Sequence, residues 1–190
     1  GQIGVNHFGH FALTGQLLDL IAKTPESRVV NVSSMAHVTG KMNFENLLFE
    51  NGKEYTPMKS YGQSKLANLL FTYELQRYFE AKGIDSIAVA AHPGVAHTNL
   101  VQHIENKLIF KLFSPVLKLL AQPAARGALP QIRAAVDLSV KGAEYYGPMG
   151  FKEMGGHPGL VKSTRASHSR EDARKLWDIS EQLTGTTILF

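Results

Sequence analysis

Tyr61 and Lys65, in the run YGQSK, stand four residues apart. On a helix that spacing puts two side chains on one face. A free tyrosine hydroxyl titrates at about pH 10, too high for efficient proton exchange near neutrality. An ammonium beside it stabilises the phenolate and brings the exchange toward the working range. The pair is therefore a candidate acid/base, although alone it reads first as a solvated helix face. Ser34 and Asn6 add to it. Ser34 follows the run RVVNVS, where its hydroxyl can point at a substrate oxygen; the plain alternative is a loop serine. Asn6 stands at the start of a helical pattern, where capping or a local backbone bond is the plain alternative.

These residues need elements to position them. Val5, Phe8, Phe11, Leu13, Leu17, Leu18 and Ile21 recur with helical spacing over 5–22, and Pro25 ends that helix. Arg28–Val32 is short and β-branched, as a buried parallel strand is. Residues 34–57 form a long connection of the kind that often carries function. A long amphipathic helix is predicted over 59–82, closed by Gly83. Ile87–Ala91 is a second buried strand running into the turn His92-Pro93-Gly94. Further elements are a helix over 124–139, a short strand at Tyr145-Tyr146 ending at Gly147-Pro148, and a last helix over about 170–184. Alternating helices and strands argue for an α/β layered fold with a parallel sheet. Ligands sit at the carboxyl ends of such strands, which is where Ser33-Ser34 and Pro93 to Thr98 fall.

The chain has 190 residues, 44% of them hydrophobic and 19% charged, which suits one globular domain. No apolar run approaches the roughly 20 residues of a membrane helix. Cysteine is absent, so no disulfide framework holds the fold. The net charge of +4 is spread along the chain, which gives nucleic-acid binding little support. The eight histidines lack the spacing of a metal motif, and no metal is expected. His92, beside the Pro-Gly turn, either lines the site or packs, with packing preferred. The chain opens on Gly1 within a helical pattern, and a missing N-terminal portion is the expectation.

Taken in order, VNHFGHF, VVNVSSMAH, YGQSKLAN and HPGVAHT resemble the short-chain dehydrogenase/reductase family, and more closely its retinol-dehydrogenase-like branch. The resemblance covers nearly the whole chain. It implies a Rossmann-like, doubly wound parallel sheet, here lacking its N-terminal dinucleotide-binding half. It implies a catalytic tetrad of Asn6, Ser34, Tyr61 and Lys65. Ser34 would polarise the carbonyl or hold the alcohol, and Tyr61 would pass the proton. Lys65 would assist Tyr61 and bind the nicotinamide ribose, and Asn6 would hold a water linking Lys65 to solvent. Pro93 and Gly94 match the family's Pro-Gly motif, with the Val95 backbone and the Thr98 hydroxyl on the carboxamide. The implied cofactor is NADP, with NAD as the alternative.

The implied activity is hydride transfer between that cofactor and a lipophilic alcohol or carbonyl. The competing readings are a sugar-nucleotide epimerase or dehydratase, and a catalytically silent binding or scaffold protein. The sequence has no TGxxxGxG phosphate loop, so the pyrophosphate site is expected outside it. One domain is expected over 1–190, with a substrate lid at about 98–122. Lys107, Lys111 and Lys118 form a stripe there, read as a solvated outer face rather than a membrane-binding one. Residues 42–58 are expected to cover the helices that pair subunits in this family, leaving a monomer or weak homodimer. A cytoplasmic location is expected, with membrane attachment through an N-terminal segment as the alternative.

Overall fold

The computed structural model describes residues 1–95 and 123–188. Thr98 and the expected lid lie outside the described residues. The chain begins with a π-helical turn, Gly4–Phe8, that passes into α1, Gly9–Lys23. The helix expected over 5–22 is thus present, but its first turn is widened: the Gly9 N–H bonds the Gly4 carbonyl, five residues back. Such π segments are frequent at functional sites. Next come β1, Ser27–Val32, and a connection that includes the 3-10 turn Met35–Thr39. α2 then spans Pro57–Lys82. Thr56 caps it by accepting the Lys59 N–H, Pro57 occupies its first turn, and Gly83 closes it at φ 63°.

β2, Ser86–Ala91, follows. The helix expected over 124–139 is two pieces, α3 at Ala124–Gly127 and α4 at Leu129–Val136. Pro130 explains the break, because it has no N–H and its ring disfavours a continuous helix through that turn. β3 is Tyr145–Pro148, β4 is Pro158–Leu160, and α5 is Arg170–Thr184. β4 has no sequence signature, since it is only Pro-Gly-Leu and pairs through geometry rather than propensity.

The sheet order is β1-β2-β3-β4. β1, β2 and β3 are parallel, and β4 returns antiparallel to β3. One face carries Val30, Ile87, Val89, Ala91 and Tyr146 against Ala134 of α4. The opposite face packs on α2, where Leu69, Tyr73, Ala90 and Tyr145 meet. α2 is therefore covered almost all round, with the sheet on one side and α1 and α5 on the other. Phe11, Phe71, Phe79 and Trp177 close that second layer. Each such side chain contributes about 2 kcal/mol by leaving water.

His7 is a buried titratable group in this layer. It is 1% exposed, and its Nε2 lies 2.9 Å from the Ser180 hydroxyl of α5. Burial, with a smaller contribution from His10, pushes its pKa down to about 3. The unfolded value is about 6.5, so the stability from a neutral His7 is complete above that pH. It is lost as pH falls below 6.5 toward the folded value. In the full-length protein, His7→Gln should make the fall in unfolding free energy between pH 6 and 4 shallower. The expected change is about 1.4 kcal/mol per pH unit, one proton's worth. Urea melts of both forms at several pH values would test this, and parallel slopes would rule it out.

Candidate active site

α2 meets the carboxyl end of β1 through a seam of hydrogen bonds. Lys65 Nζ donates to the Val32 carbonyl at 3.1 Å, and Asn68 Nδ2 donates to the same oxygen at 3.0 Å. The Ser33 hydroxyl donates to the Lys65 carbonyl at 2.8 Å. One step back along the strand, Asn31 Nδ2 donates to the Thr72 hydroxyl at 3.0 Å, and Thr72 donates to the Asn68 carbonyl. The last two residues of β1 and the one that follows are thus tied to successive turns of one helix. The Lys65 ammonium lies 5.6 Å from the centre of the Tyr61 ring, so the i,i+4 pair is a contact in space. Burial pulls the lysine pKa below its ordinary value.

Ser34 leaves the strand in an extended conformation and starts the Met35–Thr39 turn. Its Oγ accepts the Ala36 N–H at 3.2 Å. The turn then comes back onto α2. A Cβ on Gly40 would overlap the Gly62 carbonyl, and a Cβ on Gly62 would lie 3.0 Å from the Ala36 carbonyl oxygen. The two backbones touch immediately beside Tyr61, which fixes how Ser34 stands relative to it. Asn6, in the π turn, donates to the Ser64 hydroxyl at 3.0 Å, and Ser64 donates to the Tyr61 carbonyl at 2.8 Å. Asn6 thereby reaches α2 between Tyr61 and Lys65. The α1 side is close enough that the lysine charge helps hold the His10 pKa down, after burial.

The second cluster follows β2. Gly94 has φ 68°, and a Cβ there would stand 2.6 Å from the Met154 carbonyl oxygen. The Val95 N–H donates to that carbonyl at 2.8 Å. His92 is fully buried, as its packing role requires. Its Nδ1 accepts the Gly94 N–H, and its Nε2 donates to Glu153 at 2.9 Å. Burial, then the nearby His37, pushes its pKa down to about 4. The His92–Glu153 contact is therefore a hydrogen bond donated by a neutral imidazole to a carboxyl oxygen rather than an ion pair. The loop 149–156 thus clamps the Pro93-Gly94 turn.

Several residues of the site carry little or no signal in the sequence. Asn31 has one, being an amide in the middle of an apolar strand. Asn68, Gln63 and the Gly40–Gly62 pair have none, because their partners are distant in sequence. Gln63 anchors the long connection, accepting the Asn43 N–H and donating to the Leu47 carbonyl.

The residues present fit the nicotinamide-ribose end of a dinucleotide. Lys65 spends one ammonium hydrogen on Val32, which leaves two for ribose hydroxyls. The turn at Gly94 is held in place by the 149–156 loop packed against it, beside the carboxyl end of β2. No glycine-rich pyrophosphate turn occurs in residues 1–190.

The fold and the relatives show that the chain belongs to the short-chain dehydrogenase/reductase family. Its relatives place it in the retinol-dehydrogenase-like branch. It is 40% identical over 187 residues to human retinol dehydrogenase 14, covering 97% of this chain and 52% of that protein. It is 37% identical over 185 residues to mouse retinol dehydrogenase 12, covering 97% and 54%. The chain spans about half the length of the curated relatives it matches. A solved structure of an uncharacterized protein from Mycobacterium paratuberculosis matches with a TM-score of 0.76 at 39% identity, covering 100% of this chain and 60% of that one. No family model matches. Among the described residues, no helix is long and apolar enough to cross a membrane.

The backbone contact predicts a steep cost for a single methyl group. Gly40→Ala in the full-length protein should destabilise by about 1–3 kcal/mol, since the neighbour to be displaced is helix backbone. Turnover should fall more than Gly62→Ala makes it fall, whose added atom meets a looser gap. Thermal melts and turnover measured together test this; an unchanged Gly40→Ala protein would show that the turn does not set the site.

Proposed function

We propose that the protein is an NADP-dependent oxidoreductase acting on a lipophilic alcohol/carbonyl pair, with NAD as the alternative cofactor. The observation that carries this reading is the Lys65 ammonium, held by the Val32 carbonyl against the Tyr61 ring at the carboxyl end of the sheet. When bound, the dinucleotide supplies the hydride chemistry. The chain's own residues handle the oxygen and its proton. Ser34 takes the Ala36 N–H on a lone pair, so its hydroxyl proton remains for a substrate oxygen. Tyr61 gives its phenolic proton to that oxygen in reduction and takes one in oxidation. The Lys65 ammonium stabilises the charge this leaves on the phenolic oxygen. Asn6, through Ser64, keeps the Tyr61 turn of α2 in place and stands on the path by which a water would link Lys65 to solvent. Pro93 and Gly94 shape the carboxamide pocket. The Val95 N–H is already spent on Met154, so it would be the Val95 carbonyl, with the Thr98 hydroxyl that the family resemblance implies, that would hold the carboxamide.

Two things support a lipophilic substrate. Val38, Met149 and Phe151 are apolar and exposed on the segments that follow Ser34 and clamp Gly94. The segment 108–120 is apolar in sequence, in the region where the family resemblance implies a substrate lid. The relatives named as retinol dehydrogenases agree with such a substrate class.

Tyr61→Phe removes only the phenolic hydroxyl, so the full-length protein should lose at least about tenfold in turnover, and general acid–base catalysis sets the scale at about 10²–10⁴. Its NADPH affinity should stay unchanged by calorimetric titration. Activity above a tenth of wild type would remove Tyr61 from its role. Lys65→Ala should slow turnover, weaken cofactor binding and move the alkaline optimum upward. A rate profile at its original pH, with unchanged affinity, would reduce Lys65 to a packing residue.

A further inference from the structure

His37 lies three residues past Ser34 and is 2% exposed. Its ring Nδ1 is 2.7 Å from the Ser34 carbonyl oxygen. A carbonyl oxygen only accepts, so Nδ1 carries the proton and the ring is fixed in one tautomer. The His37 backbone N–H reaches the same oxygen at 3.0 Å. One residue therefore delivers two donors to the carbonyl of the serine whose hydroxyl faces the substrate. The other ring nitrogen, Nε2, is buried and has no hydrogen-bond partner. Burial holds the ring neutral, which keeps Nδ1–H as a donor and Nε2 as a bare lone pair.

The ring is also wedged. It stands edge-on to Tyr145, with centroids 5.6 Å apart and planes at 85°. Tyr145 is itself 2% exposed, pairs with Ala90 of β2, and leans on the buried His92. A displacement of the Ser34 peptide would therefore push the His37 ring into side chains that cannot yield.

We propose that His37 is a positioning residue for Ser34, its two donors and its wedge against Tyr145 together holding the serine hydroxyl where it reaches the substrate oxygen. This rests on the reading of Ser34 as the hydroxyl that binds that oxygen. The arrangement separates donor from wedge, and two variants divide them. Phe keeps the ring and loses the donor. Asn places an amide N–H where Nδ1 stands and loses most of the ring.

The test uses the full-length protein with NADP and a lipophilic alcohol. His37→Phe should lower kcat by about 10- to 100-fold, the scale of a small misplacement at a reacting centre. Cofactor affinity and melting temperature should stay near wild type. His37→Asn should recover a large part of the loss. Because His37 acts through Ser34, its effect should vanish in a Ser34→Ala background. Additive losses in the double variant, or wild-type kcat in a folded His37→Phe protein, would overturn the proposal. A nitrogen-detected NMR spectrum of the histidine rings gives a readout independent of activity. The Nδ1–H tautomer is expected for His37, and an Nε2–H or doubly protonated ring at pH 7 would overturn it. Should wild type show no dehydrogenase activity, the functional reading fails while the tautomer still decides the geometry.

Discussion

The carbonyl oxygen of Val32 accepts from both Lys65 and Asn68, and the rest of the site is built around that junction. It joins the last residue of β1 to the middle of α2, so strand and helix cannot shift independently. It also decides where the Lys65 ammonium points, and through it how Lys65 stands to Tyr61. The junction borders a buried seam, since Asn31, Ser33, Asn68 and Thr72 are all buried. Buried amides and hydroxyls cost about 1–3 kcal/mol each when unpaired. Here each finds a partner, so the seam adds specificity without a large penalty. A purely apolar interface would have allowed α2 to slide by a turn against the strand.

The two glycines act at right angles to the seam. The seam sets position along α2, and the Gly40–Gly62 contact sets how close the Ser34 turn approaches it. Any side chain at either point would hold the serine away from Tyr61 by roughly the size of a methyl group. The same economy appears at Gly147, where a Cβ would overlap the His92 ring, and at Gly94 under the 149–156 loop. Small residues cluster where backbone must approach backbone or ring, and the turns after β1 and β2 are both made in this way.

The buried histidines divide by task. His7 is a core group that bridges helices through Ser180. His92 joins the Pro-Gly turn to Glu153. His37 holds the serine carbonyl. All three have their pKa values lowered by burial, so neutral rings serve as hydrogen-bonding parts.

Local chemistry makes much of the protein legible in its sequence. β-branched runs mark β1 and β2, helical periodicity marks α1, α2 and α5, and an i,i+4 pair marks Tyr61 with Lys65, because these signals depend on near neighbours in the chain. The resemblance carried by VVNVSS, YGQSK and HPG supplies the order of the parts. Tertiary structure alone decides the rest. The Ser34 turn lies against Gly62, 28 positions from the serine, Asn6 bonds Ser64 across a separation of 58, and His92 meets Glu153 across 61. Such pairings depend on how layers pack, and no local propensity encodes them. For the same reason Pro130 divides a helix that composition suggests is continuous, and Pro-Gly-Leu becomes a strand only because β3 offers it an edge. Residue types with the capacity for proton transfer are visible in the sequence; the distances that let them act together arise from packing α2 against the end of β1.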